Sequence, residues 1–559
     1  MRLRWHQPIV ALGAYLGITL AFLVPVFGRL GSGLITSPAA IQPMDHLQVL
    51  WNAWWIERSL FAGANPYFTD MLFVPYGTPL VFHFLTPIQT SAIVLLSSVF
   101  STELSYNLVI IAGFPVAGLG AYALCRVVTR HHWASVVGGV AFMLSPFIVS
   151  KAAAGWTNML YSGVLPLYLA CLLHATSDTP ARPRLSKVLL ALSVVLLLFT
   201  GDVTVVFAAN VTVCVFAWRW WTSGHLAATV AGFGRALAFS ALVAVPYFAM
   251  VAYYVFSYGF EIDVGRRLDF IPDLWSYLLP FSPTSIYSES LKGLHLSPTV
   301  WTDLGRVGTA CYLGIVVLPL ALAGFWSGRK DPTVRFVVVL FFLFLALSMG
   351  PRLLILREEV RVGPFPFALP FMLWAKIPLL GSVAQSGRYL VISYMAMSVG
   401  VAVLTAAVAG REGRTRALLA GALLLLLVCA DFAFQMGVRP LPPMPSLAGT
   451  GGVVLDPRLR SSQTMYYQTS HERPLAGGYL SRRPEFALRK YRELPGFNCL
   501  YFGVRSADCD KDAMLSSLRS LDVTNVLLDP RDWRGEMLAR YGFRQHYADV
   551  WTVVWEVPR

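Results

Sequence analysis

Eleven apolar runs, most of them near 20 residues long and separated by short loops rich in Lys and Arg, leave this chain essentially one fold class: a bundle of membrane-crossing helices. The runs lie at 8–27, 105–128, 133–150, 157–176, 186–200, 202–221, 226–256, 308–327, 333–350, 385–408 and 416–436. The run Thr86–Phe100 is only some 15 residues long and opens on Thr86-Pro87, so it is read as an interfacial segment. With that assignment Arg2 and Arg4, Arg126 and Arg130, Arg182, Arg184 and Lys187, Arg219, Arg329 and Lys330, and Arg411, Arg414 and Arg416 all fall on one side. The positive-inside rule makes that side the cytoplasm. The expectation is a multi-pass protein of a bacterial inner or plasma membrane, with a cytoplasmic N-terminus and an extracytoplasmic C-terminal domain. The first run lacks a small-residue cleavage site and reads as a retained helix.

Charge is uneven along the chain. Only 13% of the 559 residues are charged, and 30 of the 74 Asp, Glu, Lys and Arg residues fall within 437–559. The sequence therefore divides into a transmembrane domain at 1–436, with a long first outer loop at 28–105, and a soluble α/β domain at 437–559. A formal net charge of +14 does not imply nucleic acid. Its Lys and Arg sit in short loops beside apolar runs, where they orient the protein against anionic lipid.

Polar chemistry is expected on the outer face. Asp45 stands just past the first apolar run, and an acid at the lip of a membrane bundle is a site hypothesis by default. It precedes His46–Phe61, in which Leu47, Leu50, Trp51, Trp54 and Phe61 recur at helical spacing while Gln48, Asn52, Glu57 and Arg58 take other faces. This is read as an interfacial helix whose Trp residues anchor at headgroup level and fix the depth of Asp45. Asp45 would equally serve as the N-cap of that helix. His46 and His83 read as hydrogen-bonding structural residues, and Asp202 in Thr200-Gly201-Asp202 as a turn residue beside the same cavity. Asp263 and Asp269 fall in a long outer loop, 257–307, able to form a lid.

Five cysteines, Cys125, Cys171, Cys214, Cys311 and Cys429, lie in or beside apolar runs and read as small core residues. Cys499 and Cys509, the pair in the soluble segment, are disulfide candidates in an oxidising compartment.

One acidic residue early in a long first outer loop, juxtamembrane helices, about ten further helices and an outer soluble domain resemble the GT-C superfamily of membrane glycosyltransferases. The stretches Asp45–Pro87 and Gln385-Ser386-Gly387-Arg388-Tyr389 look most like uncharacterised bacterial members of that group. The resemblance implies a mainly α, GT-C-like bundle that transfers a sugar from a polyprenyl-phosphate carrier to an acceptor hydroxyl of a glycan, lipid or protein on the outer face. In that chemistry a carboxylate takes the acceptor's proton and cations stabilise the departing phosphate. Asp45 is the candidate base. Arg388, Lys151 and Arg352 are the candidate donor-phosphate contacts, with Lys376 and Arg266-Arg267 as weaker ones; Arg388 would equally snorkel at the interface. His46, His83, Asp202 and Glu57 are candidates for supporting Asp45 from behind or for contacting the acceptor. Many members have two adjacent acids in the first loop, whereas here His46 follows Asp45. A divalent metal, Mg or Mn, is left open, with Asp45 its one candidate ligand.

The soluble end suggests strands at 453–455, 523–528 and 549–557 and helices at 512–521 and 531–541. Tyr466–His471 with Leu475–Leu480 would either stack on sugar rings or form a core strand and turn. No phosphate-binding Gly-x-x-x-x-Gly-Lys loop occurs, which suits a lipid-linked donor. A flippase for lipid-linked sugars and a non-catalytic envelope assembly factor are the alternatives; the first calls for midplane charges and internal repeats.

Overall fold

The computed structural model describes residues 6–558 except 40–43, 82, 84, 178–182, 225, 259–270, 281–283, 292–309, 378, 382, 384, 412–413, 450, 459–461, 481–483 and 505–508. Its first half is helical: α1 (His6–Leu23), α2 (Met44–Phe61), α3 (Pro87–Ser97), α4 (Thr102–Thr129), α5 (His132–Met143), α6 (Pro146–Ala154), α7 (Thr157–Leu160), α8 (Val164–Ala175), α9 (Pro183–Thr200), α10 (Asp202–Ser223) and α11 (Leu226–Tyr258). Further apolar helices cover Val317–Ser327, Pro332–Ser348, Leu390–Arg411 and Arg414–Asp431. Among the described residues five helices are long and apolar enough to cross a membrane, or six if α5 and α6 form one bent span.

Helices thus occupy all eleven predicted stretches, but three differ in form. The run 133–150 bends by 46° between α5 and α6, because Pro146 lacks the N–H that a continuous helix would use and starts a new helix instead. The run 157–176 is divided between α7 and α8, and in 308–327 the helix begins only at Val317. Small residues bring the helices together. A Cβ on Gly120 would lie 1.8 Å from the Gly163 carbonyl oxygen, and one on Gly324 would lie 1.8 Å from that of Gly400. Buried Asp431 closes the start of Val317–Ser327, its Oδ2 accepting from the backbone N–H groups of Val316 and Val317 at 2.8 Å each.

The stretch 28–105 is tied to the bundle at its start. Leu34–Thr36 pairs antiparallel with Gly437–Arg439, and the Asn107 side chain on α4 accepts from Ile35 N–H and donates to the Leu30 and Gly33 carbonyls. Thr36 Oγ1 donates to the Ala153 carbonyl on α6 at 3.0 Å. These bonds set the beginning of α2 against the end of α6.

The C-terminal segment carries a five-stranded sheet in the spatial order 475–477, 453–456, 523–528, 553–556, 544–548, parallel in its first three strands and antiparallel in the last two. Cys499 and Cys509 form a disulfide in it. Residues of the stretch 28–105 extend this sheet: Leu72 bridges Leu475, and the N–H groups of Phe73 and Val74 donate to the carbonyls of Gly477 and Leu475. Trp51 and Trp55 are buried in the same apolar core as Val454, Leu475 and Tyr491, and Trp51 Nε1 donates to Gln468 Oε1 at 2.8 Å.

Two expectations change as a result. The α2 tryptophans are not lipid anchors at headgroup level; their apolar face is covered by the C-terminal segment. Tyr466–His471 is not a strand but part of a helix, Gln463–His471, packed on α2, while Leu475–Gly477 does form a buried core strand followed by a turn at Gly478. The stripe was legible, but its partner lies some 400 residues away in the chain.

Within the sheet, Arg458 is buried and paired with Asp456 at 2.8 Å, and it donates to the hydroxyls of Thr464 and Thr552. Arg458→Ala would leave a buried carboxylate uncompensated, at an expected cost of about 3–5 kcal/mol. Urea titration read by proteolysis of the C-terminal segment should show the loss, with Arg458→Met/Asp456→Asn recovering part of it. Wild-type resistance in Arg458→Ala would refute the buried pair.

Candidate functional site

Helix α6 ends at Gly155, whose φ of +73° allows the backbone to reverse, and the Trp156 N–H returns to the Lys151 carbonyl at 3.0 Å. A Cβ on Gly155 would meet the His46 ring at 2.8 Å, so a bare glycine lets the first turn of α2 lie directly on this corner.

Three charged side chains converge on the indole so placed. Trp156 Nε1 donates to Asp45 Oδ2 at 2.6 Å. Lys151 Nζ lies 4.6 Å from the centre of the Trp156 ring, and Arg388 Cζ lies 5.3 Å from it. Arg388 Nε also donates to Gln385 Oε1 at 3.1 Å, within the short helical turn Ser386–Tyr389 that leads into Leu390–Arg411. Asp45 lies within the first turn of α2. Burial raises its carboxyl above the ordinary carboxylate range, while the Trp156 hydrogen bond and the Arg388 charge pull it back.

Lys151 is only 2% exposed, and among the described residues no carboxylate pairs with it. Its ammonium rests on the faces of Phe147 and Trp156. Burying a cation without a counter-ion is costly, and an anionic ligand offsets that cost. Two cations, one acid and an aromatic wall therefore make a site able to hold a phosphate beside a proton acceptor.

The remaining candidates lie around this cluster or away from it. His46 is buried against Gly155, its rings 5.8 Å from Tyr106, and burial lowers it to about 4 despite the Ile35 backbone, so it is neutral. His83 is lowered to about 3 by burial. Its ring is held by Asn52 Oδ1 at 2.9 Å and Gln48 Nε2 at 3.2 Å, which assigns the proton to Nε2 and leaves Nδ1 as the acceptor. Asp202 opens α10, exposed, with Oδ1 accepting from Val203 N–H; together with His83 it lines a second cavity that does not include Asp45.

Arg352 is not part of the cluster. It sits in a small hairpin region where Glu359 binds its guanidinium at 2.7 Å. Glu57 and Lys376 are exposed and make no part of it either. Asp263, Asp269 and Arg266-Arg267 lie outside the described residues. Trp156 itself was missed by the sequence reading. Its only local signal is a Gly-Trp pair closing a Lys-bearing apolar helix, a pattern that core packing produces as readily.

Among the described residues no three His, Cys, Asp or Glu side chains converge, and the charged side chain that acts on Asp45 is Arg388.

No protein-family model matches the sequence, and no curated protein does. Solved structures do match. The oligosaccharyltransferase of Archaeoglobus fulgidus superposes over 94% of this chain and 70% of its own, with 13% identity and a TM-score of 0.52. A mycobacterial arabinofuranosyltransferase superposes over 100% of this chain and 42% of its own, with 16% identity and a TM-score of 0.56. The fold of this chain is similar to theirs.

Proposed function

On a GT-C fold whose acid and cations meet at one indole, we propose that the chain is an integral membrane glycosyltransferase. It moves a sugar from a polyprenyl-phosphate donor to an acceptor hydroxyl on the outer face of the membrane. The observation that carries this reading is the convergence of Asp45, Lys151 and Arg388 on Trp156.

The acceptor oxygen forms a bond to the anomeric carbon as the bond from that carbon to the phosphate oxygen breaks. The acceptor's proton passes to Asp45, whose raised affinity for protons suits a base working near neutral pH. The electron pair leaves with the polyprenyl phosphate, and its growing charge is met by the Arg388 guanidinium and the Lys151 ammonium in a site with little water to screen them. Trp156 sets the spacing, holding Asp45 by its N–H and the cations by its face. The lipid tail would lie along the apolar helices beside Leu390–Arg411, in the membrane that surrounds them.

Mass spectrometry of lipid-linked sugars and surface glycans, with and without the protein, tests the reading. Donor accumulation together with loss of one glycan is expected. A donor that changes membrane side with no glycosylated product would identify a flippase instead. The pH profile of transfer gives a sharper check. Asp45 must be ionised to act, so the rate falls as pH drops through its pKa. Trp156→Phe removes a hydrogen bond that favours the ionised form, so this acid limb should move to higher pH. A limb that stays in place or moves down would remove Asp45 from the proton transfer.

A further inference from the structure

Asn210 is a polar residue inside an apolar helix. Helix α10 is one of those long and apolar enough to cross a membrane, and its 22 residues span about 33 Å, close to the ~30 Å of a hydrocarbon layer. Asn210 lies eight residues past Asp202, where the helix begins, so it stands about 12 Å along the axis and well inside that layer. A polar group at such depth needs partners. Buried Asn210 donates from Nδ2 to the carbonyls of Val206 at 2.8 Å and Leu380 at 3.1 Å, and its Oδ1 accepts from Trp374 Nε1 at 2.9 Å. Trp374 and Leu380 belong to the stretch 371–381, which lies in the chain between the apolar helices Pro332–Ser348 and Leu390–Arg411.

That stretch suits surroundings without water. The N–H groups of Met372, Leu373, Trp374, Ala375, Lys376 and Ile377 all donate to carbonyls three or four residues earlier, so none of them needs solvent. The chain then turns tightly at Gly381, where a Cβ would lie 2.3 Å from the Trp374 carbonyl oxygen. Leu373 and Leu379 are 68% and 55% exposed, with Met372 and Ile377 exposed beside them. At the level of Asn210 such surface meets acyl chains, and the long stem of Lys376 carries its charge toward the headgroups. The end of the stretch leads to Arg388. The Leu380 carbonyl that accepts from Asn210 also accepts from the Tyr389 hydroxyl, and the buried Tyr389 ring packs against Phe207 of α10 at 5.9 Å and Phe371 at 6.1 Å. We propose that 371–381 is a re-entrant segment whose apolar side chains face lipid acyl chains, and that Asn210, by holding it at that depth, positions Arg388. The positioning role rests on the phosphate reading of Arg388; the segment's place in the membrane does not.

Fluorescence quenching on the full chain in lipid nanodiscs tests the segment. Leu373→Cys and Leu379→Cys are each labelled with bimane, and the unaltered chain, treated alike, serves as the blank for its own cysteines. Phosphatidylcholine with a nitroxide at mid-chain should quench both labels more strongly than a headgroup nitroxide or aqueous iodide does. Stronger quenching by iodide or by the headgroup nitroxide would overturn the re-entrant segment. Binding of undecaprenyl phosphate, which carries the charge that the leaving group develops, tests Asn210. Asn210→Leu leaves the Leu380 carbonyl and the Trp374 N–H without their partner, and the affinity should fall about 5- to 10-fold. In an Arg388→Ala background, where Lys151 still attracts the phosphate, the same substitution should cost less than twofold, because its effect passes through Arg388. An unchanged affinity in Asn210→Leu, or a loss just as large without Arg388, would overturn the positioning role. If the unaltered protein does not bind undecaprenyl phosphate, the phosphate reading falls and the positioning role with it, while the quenching result still decides the segment.

Discussion

Asp45→Asn is expected to slow sugar transfer by about 10²–10⁴-fold, the range that a positioned general base contributes. Asn keeps the size of the side chain and an oxygen able to accept from Trp156 Nε1, so the corner at Gly155 should keep its shape. What disappears is the proton acceptor and a negative charge beside Arg388. The measurement is transfer from a polyprenyl-phosphate-linked sugar in reconstituted vesicles, at matched protein amounts and with undecaprenyl phosphate binding as a control for the fold. A rate within threefold of the unaltered protein would show that the reaction does not need this carboxylate. Asp45→Glu tests position: its extra methylene moves the acid off the Trp156 contact, and a partial recovery is expected.

Arg388→Ala is expected to cost about 10²–10³ in kcat, comparable to removing one preorganised donor aimed at developing charge. The leaving phosphate carries more charge in the transition state than in the bound donor, so the loss should fall on kcat more than on KM. Arg388→Lys keeps the charge but not the planar fork that holds two phosphate oxygens, and it should recover only part of the rate. Lys151→Met should weaken donor binding, because the buried ammonium no longer attracts the anion. The double variant with Arg388→Ala should lose less than the two single losses multiplied together, since both cations lie against the Trp156 ring, where one phosphate would meet both. An Arg388→Ala protein with unchanged kcat would place the phosphate elsewhere.

Hydropathy made the helices legible because each buries or lipidates its own apolar surface within about 20 residues of chain. The breaks inside those runs were less so. Pro146 could have been tolerated in a kinked helix, and whether α5 and α6 form one span depends on what packs around the bend. The stripe on α2 shows the limit of periodicity: the spacing of Leu47, Leu50, Trp51 and Trp54 announces a buried face but not what buries it. Lipid was the local answer, and the helix Gln463–His471 of the C-terminal segment was the structural one.

The candidate site divides in the same way. Asp45, Lys151 and Arg388 stood out in the sequence because charge at the lip of a membrane bundle is costly. Arg352 stood out for the same reason, yet Glu359 in its own hairpin accounts for it. Cost identifies which residues need a partner; only tertiary structure supplies the partner. By itself the sequence determined a helical membrane body, a charged C-terminal segment and a short roster of polar residues needing an explanation. The close approach of α2 to Gly155 and the indole of Trp156 between an acid and two cations were decided by packing alone. They join residues 45, 151–156 and 388, and no local propensity encodes contacts between stretches so far apart in the chain.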